Sequence, residues 1–272
     1  MTIPQVRQLG LPLMNLVKFK GTPILQQLHL EESLLRNSSD NWCIINDGTN
    51  SPAIVMGLSG RMRCQGAARQ LAVTVCLRWT GATLGELAAQ MATTGIVGEP
   101  GDGAPRKPSE LVEIRSVLRD QIPVIRRFTG GGTVIVDHGT IFVTFICNRD
   151  AVPTVQPYPR SIMHWSSLLY NEVFQGIGNF KLRENGKRLS LARNHKEFLC
   201  RMKDYLPRSA FINKTVEAVE NHFLTKPVNM DIDAATSGTD YIHTTKLLSE
   251  QELEEACARG PSGEIPVSNL MI

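Results

Sequence analysis

Apolar positions along this chain fall into short blocks of two different periods, separated by polar or Gly/Pro clusters. The first helical block follows Thr22-Pro23, where Ile24, Leu25, Leu28, Leu30, Leu34 and Leu35 recur on one face. Thr22 is the expected N-cap and Pro23 the first helical position, with Glu31 and Glu32 on or beside the polar side. Ser38-Ser39-Asp40-Asn41 ends that helix. Residues 42–45 and 53–56 then read as short strands joined through a turn at Asn46-Asp47-Gly48. Between about 61 and 107 the patterning breaks down. Apolar stretches at 71–77 and 84–91 are split by Thr80-Gly81-Ala82, and Glu99-Pro100-Gly101-Asp102-Gly103-Ala104-Pro105 is a run of breakers. Such a stretch reads as a lid, a mobile insertion or sequence foreign to the fold.

Regular patterning resumes at Pro108. Ser109 is placed to cap a helix over 111–118, which leads into an alternating strand over 122–128. Another strand begins at 133–136. Residues 140–147 are apolar at nearly every position, which predicts a central strand buried on both faces. Cys147 at its end reads as a small core residue rather than a nucleophile, since no partner base is evident. After a linker at 153–159, a helix is expected over 161–174 with Ile162, Trp165, Leu168, Leu169 and Val173 on one side. Residues 180–183 suit an edge strand, and 191–202 and 209–223 suit helices. Beyond Pro227 the chain is polar and broken until Ser249, which caps a last helix at 250–258 before a Gly/Pro/Ser tail expected to be disordered. Together these elements predict an α/β (α+β) fold, a mixed and mostly antiparallel sheet with packed helices.

Composition narrows the field. A chain of 272 residues, 42% of them hydrophobic, can bury a large core, and a net charge of +3 supplies no nucleic-acid stripe. The sequence carries no apolar run of the roughly 18 residues that a membrane span needs. Its start lacks the compact apolar core of a secretory signal. Cys43, Cys64, Cys76, Cys147, Cys200 and Cys257 are widely spaced and, with six scattered histidines, give no metal spacing and no disulfide framework. A reducing, intracellular setting follows as the expectation, the cytoplasm first, with a mitochondrion or plastid also open.

The candidate chemistry sits in Arg126-Arg127-Phe128-Thr129-Gly130-Gly131-Gly132-Thr133-Val134-Ile135-Val136-Asp137. Two cations run into three glycines between two strands. Without Cβ atoms such a connection lets a ligand lie against backbone N–H groups. A Walker-type phosphate loop is a poor match, because no Gly-Lys-Ser/Thr follows and no helix opens there. On pattern alone, an ordinary glycine hairpin with solvated arginines stands beside the ligand-binding reading.

Arg126-Arg127-x-Thr129-Gly130-Gly131-Gly132-x-Val134, followed by Asp137, Gly139 and Thr144, resembles the lipoate-protein ligase family, within the biotin/lipoate A/B protein ligase catalytic-domain group. Leu30-Glu31-Glu32-x-Leu34-Leu35-Arg36 and Val55-Met56-Gly57 agree with it. Arg201-Met202-Lys203-Asp204-Tyr205 and Ile212-Asn213-Lys214-Thr215 look most like plant members. The resemblance implies that lipoate and MgATP form lipoyl-AMP, whose acyl group passes to a lysine of a lipoyl domain in 2-oxoacid dehydrogenases or the glycine-cleavage protein. A related octanoyl/lipoyl transferase is implied almost as well. On that basis Gly130, Gly131 and Gly132 would lie along the acyl-adenylate. Arg127 and Arg126 would hold carboxyl or phosphate oxygens with forked donors, and Thr129 would add a hydroxyl. Trp42 and Phe142 would wall an acyl tunnel or be plain core. Asp137 matches the family's acidic position, but Val136 stands where its histidine should be, and His138 is expected at the surface. No dedicated metal site is implied, and the partners exclude nucleic acid and membrane.

Two departures flank the match. The family's lysine strand falls at Asn185-Gly186-Lys187-Arg188-Leu189-Ser190, where Arg188 takes the essential register and Lys187, the candidate catalytic residue, lies one place earlier. A one-residue offset points a strand side chain to the opposite face. The resemblance thus implies an insertion near 62–107 and a deletion near 186, as an alternative or mis-assembled product would show. It divides the chain into an extension at 1–20, a ligase-like domain at 21–225 and a polar tail at 226–272. The disrupted lysine strand also leaves open a catalytically inactive relative that binds an acyl ligand or lipoyl domain.

Overall fold

The computed structural model describes residues 10–57, 70–78, 108–130, 133–156, 159–177, 202–237 and 241–258. Two mixed sheets form the frame. The five-stranded sheet has the order β4-β7-β2-β1-β8, from β1 (Leu13–Lys20), β2 (Trp42–Asp47), β4 (Gln70–Arg78), β7 (Thr140–Asn148) and β8 (Leu224–Pro227). The four-stranded sheet has the order β6-β3-β5-β9, from β3 (Ala53–Met56), β5 (Val124–Arg126), β6 (Val134–Val136) and β9 (Lys246–Leu247). Parallel pairs (β1 with β2 and β8, β3 with β5) occur beside antiparallel ones (β7 with β2 and β4, β3 with β6, β5 with β9). The expected mixed α/β architecture is what the described residues form.

Helix α1 (Ile24–Asn37) lies between the two sheets. Its Leu30, Leu34 and Leu35 pack on Val17, Ile44 and Ile146 of the larger sheet. Ile24 and Leu28 pack on Val55, Ile125 and Val136 of the smaller one. The outer face of the larger sheet is covered by α3 (Pro159–Phe174) and α4 (Arg208–Glu220), which bring Ile162, Tyr170, Val173 and Phe211 against Phe145 and Val143. The outer face of the smaller sheet is covered by α2 (Ile114–Arg119) and α6 (Glu250–Ala258), through Ile114, Val117 and Leu253. As expected of a strand with neighbours on both edges and layers on both faces, β7 is buried from Thr140 to Cys147. Burial pushes the Cys147 thiol up to about 12, so it is an inert core residue.

Several local expectations change. Leu13–Lys20 is not an appendage ahead of the fold but a strand held between β2 and β8. Residues 70–78, within the stretch that reads as foreign, form β4 and pair with β7 from Gln70↔Asn148 to Arg78↔Thr140. Pro23 rather than Thr22 is the N-cap of α1, because the Thr22 backbone is held by Asn46, whose amide bonds both its N–H and its C=O. Glu113, not Ser109, caps α2 by accepting the Ser116 N–H at 2.7 Å. Leu168, expected on the inner side of α3, is 49% exposed. The Ser249 cap is as expected, and Glu252 completes a capping box by accepting the Ser249 N–H at 3.0 Å. Gly48 has φ of +92°, and a Cβ there would meet the His138 carbonyl oxygen at 2.7 Å, so only glycine fits that turn. The expected elements at 180–183 and 191–201, and the tail beyond 258, lie outside the described residues.

The largest correction concerns α1. Glu31 and Glu32, placed by helical periodicity on its polar side, are both buried. Sheets on two sides leave only Gln26, Arg36 and Asn37 of the helix exposed, so its buried polar groups need partners inside the protein. Glu31 accepts the Gln27 amide at 2.8 Å and the Thr144 hydroxyl at 2.7 Å, and Asn46 in turn donates to Gln27 at 2.9 Å. Glu32 is satisfied from the other end of the chain. Its two oxygens accept the backbone N–H groups of Thr244 at 2.8 Å and Thr245 at 2.9 Å, and Arg36 donates to it at 2.8 Å. Residues 241–248 thus form a strap across α1. His243 stacks on His29 at 4.3 Å, Tyr241 donates to Ser33 at 3.0 Å, and the Arg36 guanidinium sits over the Tyr241 ring.

For Glu32 burial works against ionisation, but the Thr245 and Thr244 N–H groups and Arg36 outweigh it and hold the carboxyl below its ordinary 4.5. A depressed carboxyl stabilises the fold above its ordinary value and loses that contribution as pH falls through the lower folded value. Burial, then the neighbouring His29, hold His243 below its ordinary 6.5 against the pull of Glu32. The unfolded chain therefore takes up that proton first, and stability falls as pH drops below 6.5.

Two outcomes are expected. Leu30→Ala, at a fully buried position between the sheets, costs about 3 kcal/mol in urea denaturation, whereas Leu168→Ala on the exposed side of α3 costs less than about 0.5 kcal/mol. Relative to intrinsic rates, the Thr244 and Thr245 amides lose hydrogen-exchange protection below pH 6.5 and lose more of it below 4.5. Protection unchanged between 6.5 and 4.5 would remove the His243 titration from the strap, and protection unchanged well below 4.5 would remove that of Glu32.

Candidate functional site

The Arg-Gly segment is reached from β5, whose last residue, Arg126, lies opposite Met56 of β3 on one side and Lys246 of β9 on the other. The next peptide continues the β3 pairing, with the Arg127 N–H donating to the Met56 carbonyl at 2.9 Å. The chain then turns, and it re-enters the sheet as β6 with Val134 opposite Val55. Strands β5 and β6 therefore flank β3 rather than each other. The segment expected as a glycine hairpin therefore does not join two paired strands.

Side-chain placement within this segment is uneven. Arg126 and Gly130 are half-buried, while Arg127 is 2% exposed and Thr129 is enclosed beside it. A guanidinium so enclosed requires partners, and Arg127 is engaged within the chain. Phe128 turns inward and packs with Leu34, Trp42 and Ile146. Its N–H donates to Thr245 Oγ1 at 3.0 Å, in the strap that also binds Glu32. Thr245 is thereby bonded through its hydroxyl to the loop, through its N–H to Glu32, and through its carbonyl to His29 Nε2 at 3.0 Å. A carbonyl only accepts, so His29 carries its proton on Nε2.

Asp137 is placed at the far end of β6. Its Oδ1 accepts the Gly139 N–H at 2.8 Å and the Thr140 hydroxyl at 3.2 Å, and its backbone N–H donates to Thr140 Oγ1 at 3.1 Å. These bonds form the turn into β7. Val136 beside it is fully buried, and His138 is exposed, as expected of a surface residue. Trp42 and Phe142 lie in separate apolar clusters, the Trp42 indole N–H donating to Ser38 at 3.0 Å, and in this structure both are core. An apolar cavity of about 10 Å³, lined by Val73, Phe145, Cys147, Val152, Val155, Ile162 and Trp165, lies on the opposite face of the larger sheet under α3. It is about the size of one water and far too small for an acyl chain.

Gly131, Gly132 and Lys187 lie outside the described residues. Among the described residues, no group of His, Cys, Asp and Glu is arranged to hold a metal ion. Among them also, no helix is long and apolar enough to cross a membrane. The structure thus brings together Arg126, Arg127, Thr129 and Gly130 at the end of β3, and separates Asp137 from them by the length of β6. Sequence reasoning missed Glu32, Thr245 and His243. The available signal was the aromatic and β-branched run Tyr241-Ile242-His243-Thr244-Thr245 inside an otherwise polar stretch.

Comparison with protein families finds the same segment. The Lipoyl protein ligase A/B catalytic domain matches residues 103–186. A protein named inactive lipoate–protein ligase 2, from Plasmodium falciparum, is 29% identical over 79 residues, 29% of this chain. The chain spans 20% of that relative's length. Among solved structures, a candidate lipoate protein ligase from T. acidophilum with bound lipoic acid overlays at a TM-score of 0.46 with 9% identity, covering 82% of this chain and 92% of that one. A lipoate-protein ligase A bound with ATP overlays at 0.37 with 8% identity, covering 83% and 92%. At TM-scores below 0.5 these two likenesses decide neither fold nor ligand. The family-level similarity is thus to the Lipoyl protein ligase A/B catalytic domain over 103–186, a segment that contains Arg126-Arg127-x-Thr129-Gly130-Gly131-Gly132.

Proposed function

We propose that this chain is a lipoate-protein ligase-like protein that activates lipoate with ATP to lipoyl-AMP and delivers the lipoyl group to a lysine of an acceptor lipoyl domain. The observation that carries this reading is the Arg126-Arg127-x-Thr129-Gly130-Gly131-Gly132 segment, which falls inside the 103–186 match. In the first step a carboxylate oxygen attacks the α-phosphorus, a C–O–P bond forms and pyrophosphate leaves. Two anions must meet, so cations and fixed backbone donors have to lower the repulsion. Arg126 and Arg127 supply the charge, and the glycine backbone at 130–132 supplies close N–H donors without a Cβ in the way. Magnesium enters as the counter-ion of the substrate MgATP. In the second step the acceptor amine attacks the acyl carbonyl, an amide forms and AMP leaves, with Lys187 as the lysine nearest in sequence to the family's catalytic position. The acceptors would be the lipoyl domains of 2-oxoacid dehydrogenases and the glycine-cleavage protein.

A second reading has its own support. The Plasmodium relative is named inactive, and in this chain Arg188 occupies the register of the family's lysine, which is displaced to Lys187. On that reading the chain binds an acyl ligand or a lipoyl domain without transferring anything.

Lipoate-dependent exchange of radiolabelled pyrophosphate into ATP separates the two. The ligase reading expects exchange, lowered about a hundredfold or more by Lys187→Ala. Lipoate binding without exchange selects the inactive binder, and turnover unaltered by Lys187→Ala removes that residue from the site.

A further inference from the structure

We propose that the strap at 241–248 positions the ligand loop, with Thr245 as the positioning residue that fixes Phe128, and that ligand affinity at 126–130 depends on it. The inference rests on the reading of this loop as an acyl-adenylate site. It starts from connectivity that the sequence does not suggest, since Phe128 and Thr245 are 117 residues apart. The strap enters as β9, pairing Arg126 with Lys246 and Ile125 with Leu247, so it is an edge strand of the sheet that delivers the loop. Beyond the last sheet pair the Phe128 N–H is taken by Thr245 Oγ1, in a buried bond. The strap itself is tied down at Thr245 by Glu32 and His29, both on α1, the helix enclosed between the two sheets.

The consequence for the loop is physical. With Arg127 N–H held by Met56 and Phe128 N–H held by Thr245, two successive peptide planes are set. The dihedrals of Phe128 and Thr129 are then the backbone freedom left before Gly130. A run of glycines has the largest conformational entropy of any segment, so an anchor at its entry decides how much ordering a ligand must supply. Donors fixed in advance bind an anion more tightly than donors the ligand has to collect. Thr245 touches no ligand in this scheme. It acts through the peptide it holds, and Glu32 acts through Thr245.

The test uses the full chain and a non-hydrolysable acyl-sulfamoyl adenosine, which keeps the carboxyl-derived carbonyl and the adenosine of the adenylate. Thr245→Val preserves shape and removes the acceptor, and Thr245→Ser restores it. Thr245→Val should raise the dissociation constant about tenfold and speed Phe128 amide exchange by a similar factor, with Thr245→Ser within about twofold of the parent on both. In pyrophosphate exchange the loss should fall on KM for lipoate rather than on kcat, which a general loss of stability would not produce. Unchanged or tighter binding by Thr245→Val overturns the proposal. If Thr245→Val does not fold, Tyr241→Phe loosens the strap at its outer end. Faster Phe128 exchange with weaker binding then supports the proposal, and parental values overturn it. Should the parent itself not bind the analogue, the acyl-adenylate reading falls, and Phe128 protection kept in Thr245→Val would overturn the clamp independently.

Discussion

Helix α1 is held between two sheets and crossed by the strap, and the rest of this structure follows from how its polar groups are satisfied there. Helix α1 gives aliphatic side chains to both sheets, so its Gln27, Glu31, Glu32 and Ser33 are shut inside with it. A buried carboxylate is tolerable only when hydrogen bonds replace its water. Glu31 finds them on Gln27 a turn away and on Thr144 of β7. Glu32 finds one on Arg36 a turn away and the rest on Thr244 and Thr245, more than two hundred residues away in sequence. The demand of one side chain therefore recruits the C-terminal strap into the centre of the molecule.

The same strap sets the surroundings of the Arg-Gly segment. Because β5 and β6 straddle β3, they share none of the reciprocal hydrogen bonds of a hairpin. The stiffness of the segment between them has to come from other elements. Met56 of β3 and Thr245 of the strap provide it at successive peptides. Asp137, closing the turn into β7, anchors the other end of β6. A loop rich in glycine but fixed at both margins is a reasonable way to present backbone donors to an anionic ligand.

Charge placement separates two kinds of residue that the sequence presents together. Arg126 is half-buried at the edge of the fold, whereas Arg127 is enclosed and engaged there. Arg126 closes β5 and Arg127 lies just past it, so a pair that reads as one cluster becomes one half-buried and one enclosed group. The thiol at Cys147 shows the same effect of enclosure, held protonated by burial at the end of β7.

Much of the fold was legible because its signals are local. The apolar run at 140–147 marks a doubly covered strand, the Ser249-x-x-Glu252 spacing marks a helix start, and 161–174 and 209–223 carry helical periodicity. The resemblance at Arg126-Arg127-x-Thr129-Gly130-Gly131-Gly132 was equally local, and the segment matched at 103–186 contains it. Periodicity also placed Ile24 and Leu28 of α1 correctly against a sheet, but it assigned Glu31, Glu32 and Leu168 to the wrong environments. A helical period says which residues share a face, not whether a second layer covers the opposite one. Sequence by itself determined the element types, the inert cysteine and the Arg-Gly segment, since each depends on neighbours within a few positions. Tertiary structure alone decided that β3 passes between β5 and β6, that Leu13–Lys20 belongs inside a sheet, and that Thr245 meets Phe128. Those facts depend on which distant segments satisfy one another's buried hydrogen bonds, and no local pattern encodes that choice.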